Sequence, residues 1–172
     1  GGGAVRGGAG GAVSLGAWTG RLPAMPRRRG WEGCAFAAAQ ARCQFAAVAN
    51  NLVYVGSDNG HVYALDASTG AKRWSFATGG PVCSSAAVAN GVVYIGSEDD
   101  TVYALNALTG AQLWSYTTSA QVDSSPAVAG GVVYLESFDG RVYALNATTG
   151  ALVWTFAPST LFSFVAASPA VA

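Results

Sequence analysis

Three observations predict an all-β fold of stacked, four-stranded sheets. The chain superposes on itself when slid by forty residues, each copy holds four short β-rich runs parted by turn residues, and most runs are apolar at nearly every position. Such runs need cover on both sheet faces.

The copies are 44–83, 84–123 and 124–163. Tyr54, Tyr94 and Tyr134 coincide, as do Tyr63, Tyr103 and Tyr143, then Gly70, Gly110 and Gly150, and finally Trp74, Trp114 and Trp154. A fourth copy opens in 164–172: Ser168-Pro169-Ala170-Val171-Ala172 echoes Ser125-Pro126-Ala127-Val128-Ala129 after a three-residue insertion. The chain starts Gly1-Gly2-Gly3 and stops inside that copy, so it reads as part of a longer protein with both ends elsewhere.

In the third copy the predicted strands are Ser125–Ala129, Val132–Glu136, Arg141–Asn146 and Leu152–Phe156. Gly130-Gly131, like Asn90-Gly91, suits a two-residue hairpin that demands positive φ. Asp139-Gly140 and Asn59-Gly60 supply the second turn, and Thr149-Gly150, Thr109-Gly110 and Thr69-Gly70 the third. Four tightly connected strands make an antiparallel meander. Repeated in tandem and covered on both faces, it is satisfied by sheets stacked radially as the blades of a β-propeller. An open β-solenoid competes, but its repeat is usually shorter and has fewer strands. The expected fold is therefore a partial β-propeller with three complete blades and the start of a fourth.

Residues 1–43 break the pattern, being rich in Gly, Ala, Arg and Pro, although Phe36 and Cys43 stay in register with Phe76 and Cys83. Two readings stand: a degenerate blade behind a flexible basic leader, or out-of-frame translation of a G+C-rich gene. Either predicts poor order before residue 44.

The net charge of zero averages two unlike parts, +5 over residues 1–43 and −5 over 44–172. An acidic repeat region repels phosphate backbones, which argues against nucleic-acid binding. Arg27-Arg28-Arg29 reads as a solvated run. The apolar stretch Leu161 to Ala172 is too short for a membrane helix and holds Ser163, Ser168 and Pro169, so it reads as strand and no transmembrane segment is expected. Three cysteines, Cys34, Cys43 and Cys83, lack disulfide or zinc spacing. Cys43 and Cys83 share a repeat position and read as separate buried thiols packed as small hydrophobes.

Candidate chemistry is sparse. His61, the sole histidine, starts a strand where Thr101 and Arg141 stand in the other copies, and reads as solvated. Asp58, Glu98-Asp99-Asp100, and Glu136 with Asp139 recur between the second and third strands of each copy. Clustered there they could hold calcium or a basic partner, but hairpin-turn residues that keep a rim soluble are the simpler reading. Asn146-Ala147-Thr148 spells a glycosylation acceptor inside a packed turn and is discounted.

Ala64, Asp66, Thr69, Gly70 and Trp74 form the pattern Ala-x-Asp-x-x-Thr-Gly-x-x-x-Trp. The second copy keeps Ala104, Thr109, Gly110 and Trp114 with Asn106 for the aspartate, and the third keeps Ala144, Thr149, Gly150 and Trp154 with Asn146. The exchange retains the side-chain oxygen that caps the turn. This resembles the tryptophan-docking motif of quinoprotein dehydrogenase propellers and the wider family of pyrroloquinoline-quinone-like (PQQ-like) repeat proteins, over residues 44–172. The resemblance implies a belt of tryptophans locking each blade to the next. Dehydrogenases of the family use an adjacent cysteine pair, calcium ligands and a catalytic aspartate, and this chain has no adjacent cysteines. PQQ and calcium are thus implied only if the parent protein is such an enzyme, and no cofactor is evident in the chain itself.

Three functions remain open: a non-catalytic scaffold binding a protein or cell-envelope component and stacking on further blades of its own chain; part of a PQQ-dependent alcohol or sugar dehydrogenase; or, by resemblance, a subunit like the propeller lipoprotein of outer-membrane protein assembly. The resemblance suggests a periplasmic or extracellular location.

Overall fold

A computed structural model describes residues 46–157 and 168–170, all inside the second of two compact units, Glu32–Ala172. The expectations for residues 1–43, for Cys43 and for the strand from Leu161 lie outside the described residues, apart from positions 168–170. Twelve strands form three four-stranded antiparallel sheets, with no helix among the described residues. The first blade holds β1 (Ala47–Ala49), β2 (Leu52–Ser57), β3 (His61–Asp66) and β4 (Lys72–Ala77). The second holds β5 (Ala87–Ala89), β6 (Val92–Gly96), β7 (Thr101–Asn106) and β8 (Gln112–Thr117), and the third β9 (Ala127–Ala129), β10 (Val132–Ser137), β11 (Arg141–Asn146) and β12 (Leu152–Phe156). Strand order in each sheet follows the sequence, the predicted meander.

The turns explain why. Asn90 and Gly91 have φ of 51° and 76°, and Gly130 and Gly131 57° and 77°, so both central residues of each hairpin are left-handed and match the strand twist. Asn50 and Asn51 fill the same places in the first blade, asparagine being tolerant of this region.

β1, β5 and β9 touch from blade to blade and line the inner edge. The core lies between sheets rather than within one. Tyr54, Val62 and Ala64 of the first blade pack with Val93, Ile95 and Leu105 of the second, and Tyr94, Val102 and Trp114 of the second with Val133, Leu135 and Leu145 of the third. Both-face burial therefore holds best for the second and third strands of each blade. It fails for the outermost: β4 and β8 expose Lys72, Arg73 and Ser75, and Gln112, Leu113 and Ser115, because nothing pairs beyond them. The first strands are also shorter than predicted. β9 starts at Ala127 and β5 at the equivalent Ala87, with or without a proline before it, since Ser84 and Ser124 ahead of them bond to the second strand through their side chains.

Each blade carries one further irregularity. The register slips between Ala64 and Leu65, Ala104 and Leu105, and Ala144 and Leu145, leaving Arg73, Leu113 and Val153 as bulged residues next to the tryptophans. A bulge re-aims the side chain beside it.

Candidate functional site

The predicted motif residues come together at one place in each blade, the third turn and the strand that follows. Asp66 Oδ1 accepts the backbone N–H groups of Ser68 and Thr69, each at 3.0 Å, and the Thr69 hydroxyl at 3.1 Å. Asn106 Oδ1 accepts from Leu108 N and Thr109 N at 3.0 Å, and Asn146 Oδ1 from Thr148 N at 2.9 Å and Thr149 N at 3.0 Å. The Asp-to-Asn exchange thus keeps the cap. Asp66 alone adds charge: its Oδ2 pairs with Arg73 Nη2 at 2.8 Å, and this guanidinium together with the turn N–H groups holds the carboxyl down at about 2. The turn closes on Gly70, Gly110 and Gly150, at φ of 71°, 74° and 72°.

Between blades the tryptophan of one copy meets the turn of the next. Trp74 Nε1 donates to Ala107 O at 2.9 Å, and the Tyr54 hydroxyl reaches the same carbonyl at 3.2 Å. Trp114 Nε1 and the Tyr94 hydroxyl meet Ala147 O at 2.9 and 3.1 Å. The Tyr54–Trp74 and Tyr94–Trp114 ring pairs lie 5.9 and 5.8 Å apart. The indole lies flat against glycine: a Cβ on Gly110 would sit 2.7 Å from Trp74 ring carbons, and one on Gly150 2.7 Å from those of Trp114. Ala64, Ala104 and Ala144 are fully buried and pair with Trp74, Trp114 and Trp154 across β3–β4, β7–β8 and β11–β12. Among the described residues Trp154 meets no such turn; it is 45% exposed, against 8% for Trp74 and Trp114.

Two kinds of serine contact escaped the sequence reading. Ser84 Oγ spans Gly96 N and O at 2.8 Å, and Ser124 Oγ spans Glu136 N and O at 2.7 Å. Ser85 N donates to Ser125 Oγ at 3.0 Å, and Ser125 N to Ser168 Oγ at 3.1 Å, linking the inner strands. The paired serines recurring forty residues apart were the available signal.

The rim carboxylates are mostly engaged locally. Asp99 Oδ2 accepts Gly79 N and the Tyr103 hydroxyl, both at 2.6 Å, and its Oδ1 accepts Thr101 N at 3.1 Å. Asp139 does the same for Tyr143 and Arg141 N. Glu136 lies within β10, as the predicted strand Val132–Glu136 has it, rather than in the turn with Asp139; it is in register with Gly56 and Gly96, and burial raises its pKa. His61 stacks on Tyr63 at 5.8 Å, with Nδ1 3.1 Å from Asn59 O.

Cys83 is half-buried and bonds to carboxylates instead of packing as a hydrophobe. Its Sγ donates to Glu98 Oε1 at 3.1 Å, and burial, Glu98 and the nearby Asp123 and Asp58 push the thiol up to about 12. Burial and Glu98 also raise Asp123. A protonated thiol among carboxylates is no nucleophile. Neither is it the adjacent-cysteine site of the quinone enzymes, and among the described residues no three His, Cys, Asp or Glu side chains converge on a metal position.

Stacked meanders joined indole-to-carbonyl define a protein built of β-propeller repeats of the PQQ-like class. A family model described as outer membrane protein assembly factor BamB matches residues 17–155, and the chain belongs to that family. Among solved structures, BamB from Moraxella catarrhalis is 30% identical with a TM-score of 0.59, over 65% of this chain and 35% of that one. A europium-containing methanol dehydrogenase is 27% identical with a TM-score of 0.58, over 64% of this chain and 23% of that one. The quinohemoprotein alcohol dehydrogenase ADHIIG from Pseudomonas putida HK5 has the same identity and TM-score, over 64% and 20%. The chain thus spans about a third or less of each. No match is found among curated proteins.

Proposed function

We propose that the chain is a non-catalytic propeller module, a scaffold whose rim and loops bind a protein or cell-envelope partner in the periplasm or at the cell surface. The observation that supports it is the joint between blades. At the two joints between described blades the recurring motif residues cap the turn, seat the indole or bury beside it, so there the repeated residues serve stacking. We read the indole–carbonyl contact as the lock that holds blade to blade. The likeness to BamB supports a role in outer-membrane protein assembly, and no helix of the described residues is long and apolar enough to cross a membrane.

The second reading, part of a quinone-dependent dehydrogenase, draws on the methanol and alcohol dehydrogenase likenesses. Titrating the purified chain with pyrroloquinoline quinone and calcium, then assaying alcohols and sugars with an artificial electron acceptor, separates the two. The scaffold reading expects no saturable quinone binding and no turnover. It also expects deletion of the gene to lower the outer-membrane protein content. Saturable binding with turnover overturns it.

A further inference from the structure

The first turn of each blade fills one place with three dipeptides, Asn50-Asn51, Asn90-Gly91 and Gly130-Gly131, and only the middle one sets an asparagine amide before a glycine. Such a bond is chemically weak, because the glycine nitrogen attacks the side-chain amide carbon with no side chain of its own in the way. How fast it does so depends on how both groups are held, and the chain carries its own control. In the other Asn-Gly dipeptide, Asn59 Nδ2 donates to the Tyr63 hydroxyl at 2.8 Å and Gly60 N to Ser57 O at 3.1 Å. Gly80 O lies 3.3 Å from where a Cβ on Gly60 would stand, so that turn is also enclosed. At Asn90-Gly91 both residues are exposed and nothing comes within 4 Å of a Cβ on Gly91. Among the described residues neither the Asn90 side-chain amide nor Gly91 N makes a hydrogen bond. Asn106 and Asn146 precede alanines, and each commits its Oδ1 to two turn N–H groups.

We propose that Asn90 is a self-modification site at which the chain deamidates, and that the product loosens the joint between the first two blades. Gly91 N bonds to Asn90 Cγ, the side-chain nitrogen leaves as ammonia with the Gly91 amide proton, and a succinimide ring forms. Water then opens the ring at either carbonyl. Cleavage at Cγ gives aspartate, and cleavage at the main-chain carbonyl gives isoaspartate. Aspartate tolerates the φ of 51° as asparagine does. Isoaspartate routes the main chain through Cβ, adding an atom to a two-residue loop whose twist matches the strands at its native length. Gly91 O accepts Ala107 N at 2.9 Å, and Ala107 O is the atom that takes the Trp74 indole and the Tyr54 hydroxyl. The altered peptide is thus one hydrogen bond away from the seat of the indole. The next joint has no counterpart: Ala147 N donates to Gly131 O at 2.9 Å, behind a turn without a side-chain amide. The inference stands apart from what the propeller binds.

The test ages the full chain in mildly alkaline buffer, which raises the deprotonated fraction of Gly91 N, and follows it by peptide mapping. Fragmentation assigns the amide-to-acid mass change to a residue, and methylation by isoaspartyl methyltransferase counts isoaspartate. In the folded chain Asn90 should convert about tenfold faster than Asn59, which reacts only after local opening, whereas the two should convert at comparable rates in denaturant. In the aged chain hydrogen exchange at Ala107 N should speed up severalfold while Ala147 N keeps its rate. Asn90→Gly, which copies the turn of the third blade and so keeps the fold, should show neither change on ageing. Conversion of Asn90 no faster than that of Asn59 in the folded chain overturns the proposal. Isoaspartate at Asn90 with unchanged exchange at Ala107 overturns it too, since the turn then absorbs the extra atom by itself.

Discussion

At Asp66 one carboxylate does two jobs, of which Asn106 and Asn146 do only the first. Its Oδ1 caps the turn as theirs do, while its Oδ2 holds Arg73 at 2.8 Å. Its pKa is depressed to about 2, so the charge stabilises the fold above the ordinary carboxylate range and is lost as pH falls from about 4 toward 2. Asp66→Asn keeps the cap and removes that window. Thermal midpoints of wild type and variant should therefore differ modestly at neutral pH, because Arg73 is largely exposed and screened, and converge toward pH 2. Curves that stay parallel across the window would sink this account. The exchange was legible because both side chains carry the same oxygen. Glu136 is grouped with the turn carboxylates although it ends the predicted strand Val132–Glu136, and its pairing, in register with Gly56 and Gly96, bears out the strand.

Elements were legible where turn chemistry is strong. The Asn90-Gly91 and Gly130-Gly131 hairpins, left-handed at both central residues, are what mark the meander. The wet outer strand was legible too, in the polar alternation of Gln112-Leu113-Trp114-Ser115, and was missed by generalising from the inner run Val92-Val93-Tyr94-Ile95. Two glycines with nearly equal φ separate backbone strain from packing. Nothing lies within 4 Å of a Cβ on Gly91, so Gly91→Ala should cost only the left-handed penalty, about 1 kcal/mol. At Gly110 the same strain adds to a methyl pushed into the Trp74 ring, which brings a further ~1–3 kcal/mol of overpacking. Urea unfolding of the two variants measures the difference, and equal costs would mean the indole yields freely.

Across the whole molecule the blades form a one-dimensional stack in which each sheet is stabilised by its neighbours. Trp114→Ala, in the middle of the stack, should cost ~3–5 kcal/mol in chemical unfolding. Trp154→Ala, chemically identical but half exposed, should cost less than about 1 kcal/mol under the same conditions. Similar costs at the two sites would remove the inter-blade lock. The sequence marked the tryptophans but not their acceptors, since Ala107 O and Ala147 O are backbone atoms with no side-chain signature. The serine links along the inner edge carry a different kind of consequence. Ser85 reaches Ser125 across forty residues and Ser125 reaches Ser168 across forty-three, at 3.0 and 3.1 Å, so extra length inserted between blades leaves the bond intact. Recombination between the segments that encode the repeats, if it adds or removes one whole repeat, rebuilds every cross-blade bond at once. The gene can therefore change its number of blades without inventing a new interface, whereas an exchange out of phase by a few codons within a strand would strand every indole it moved.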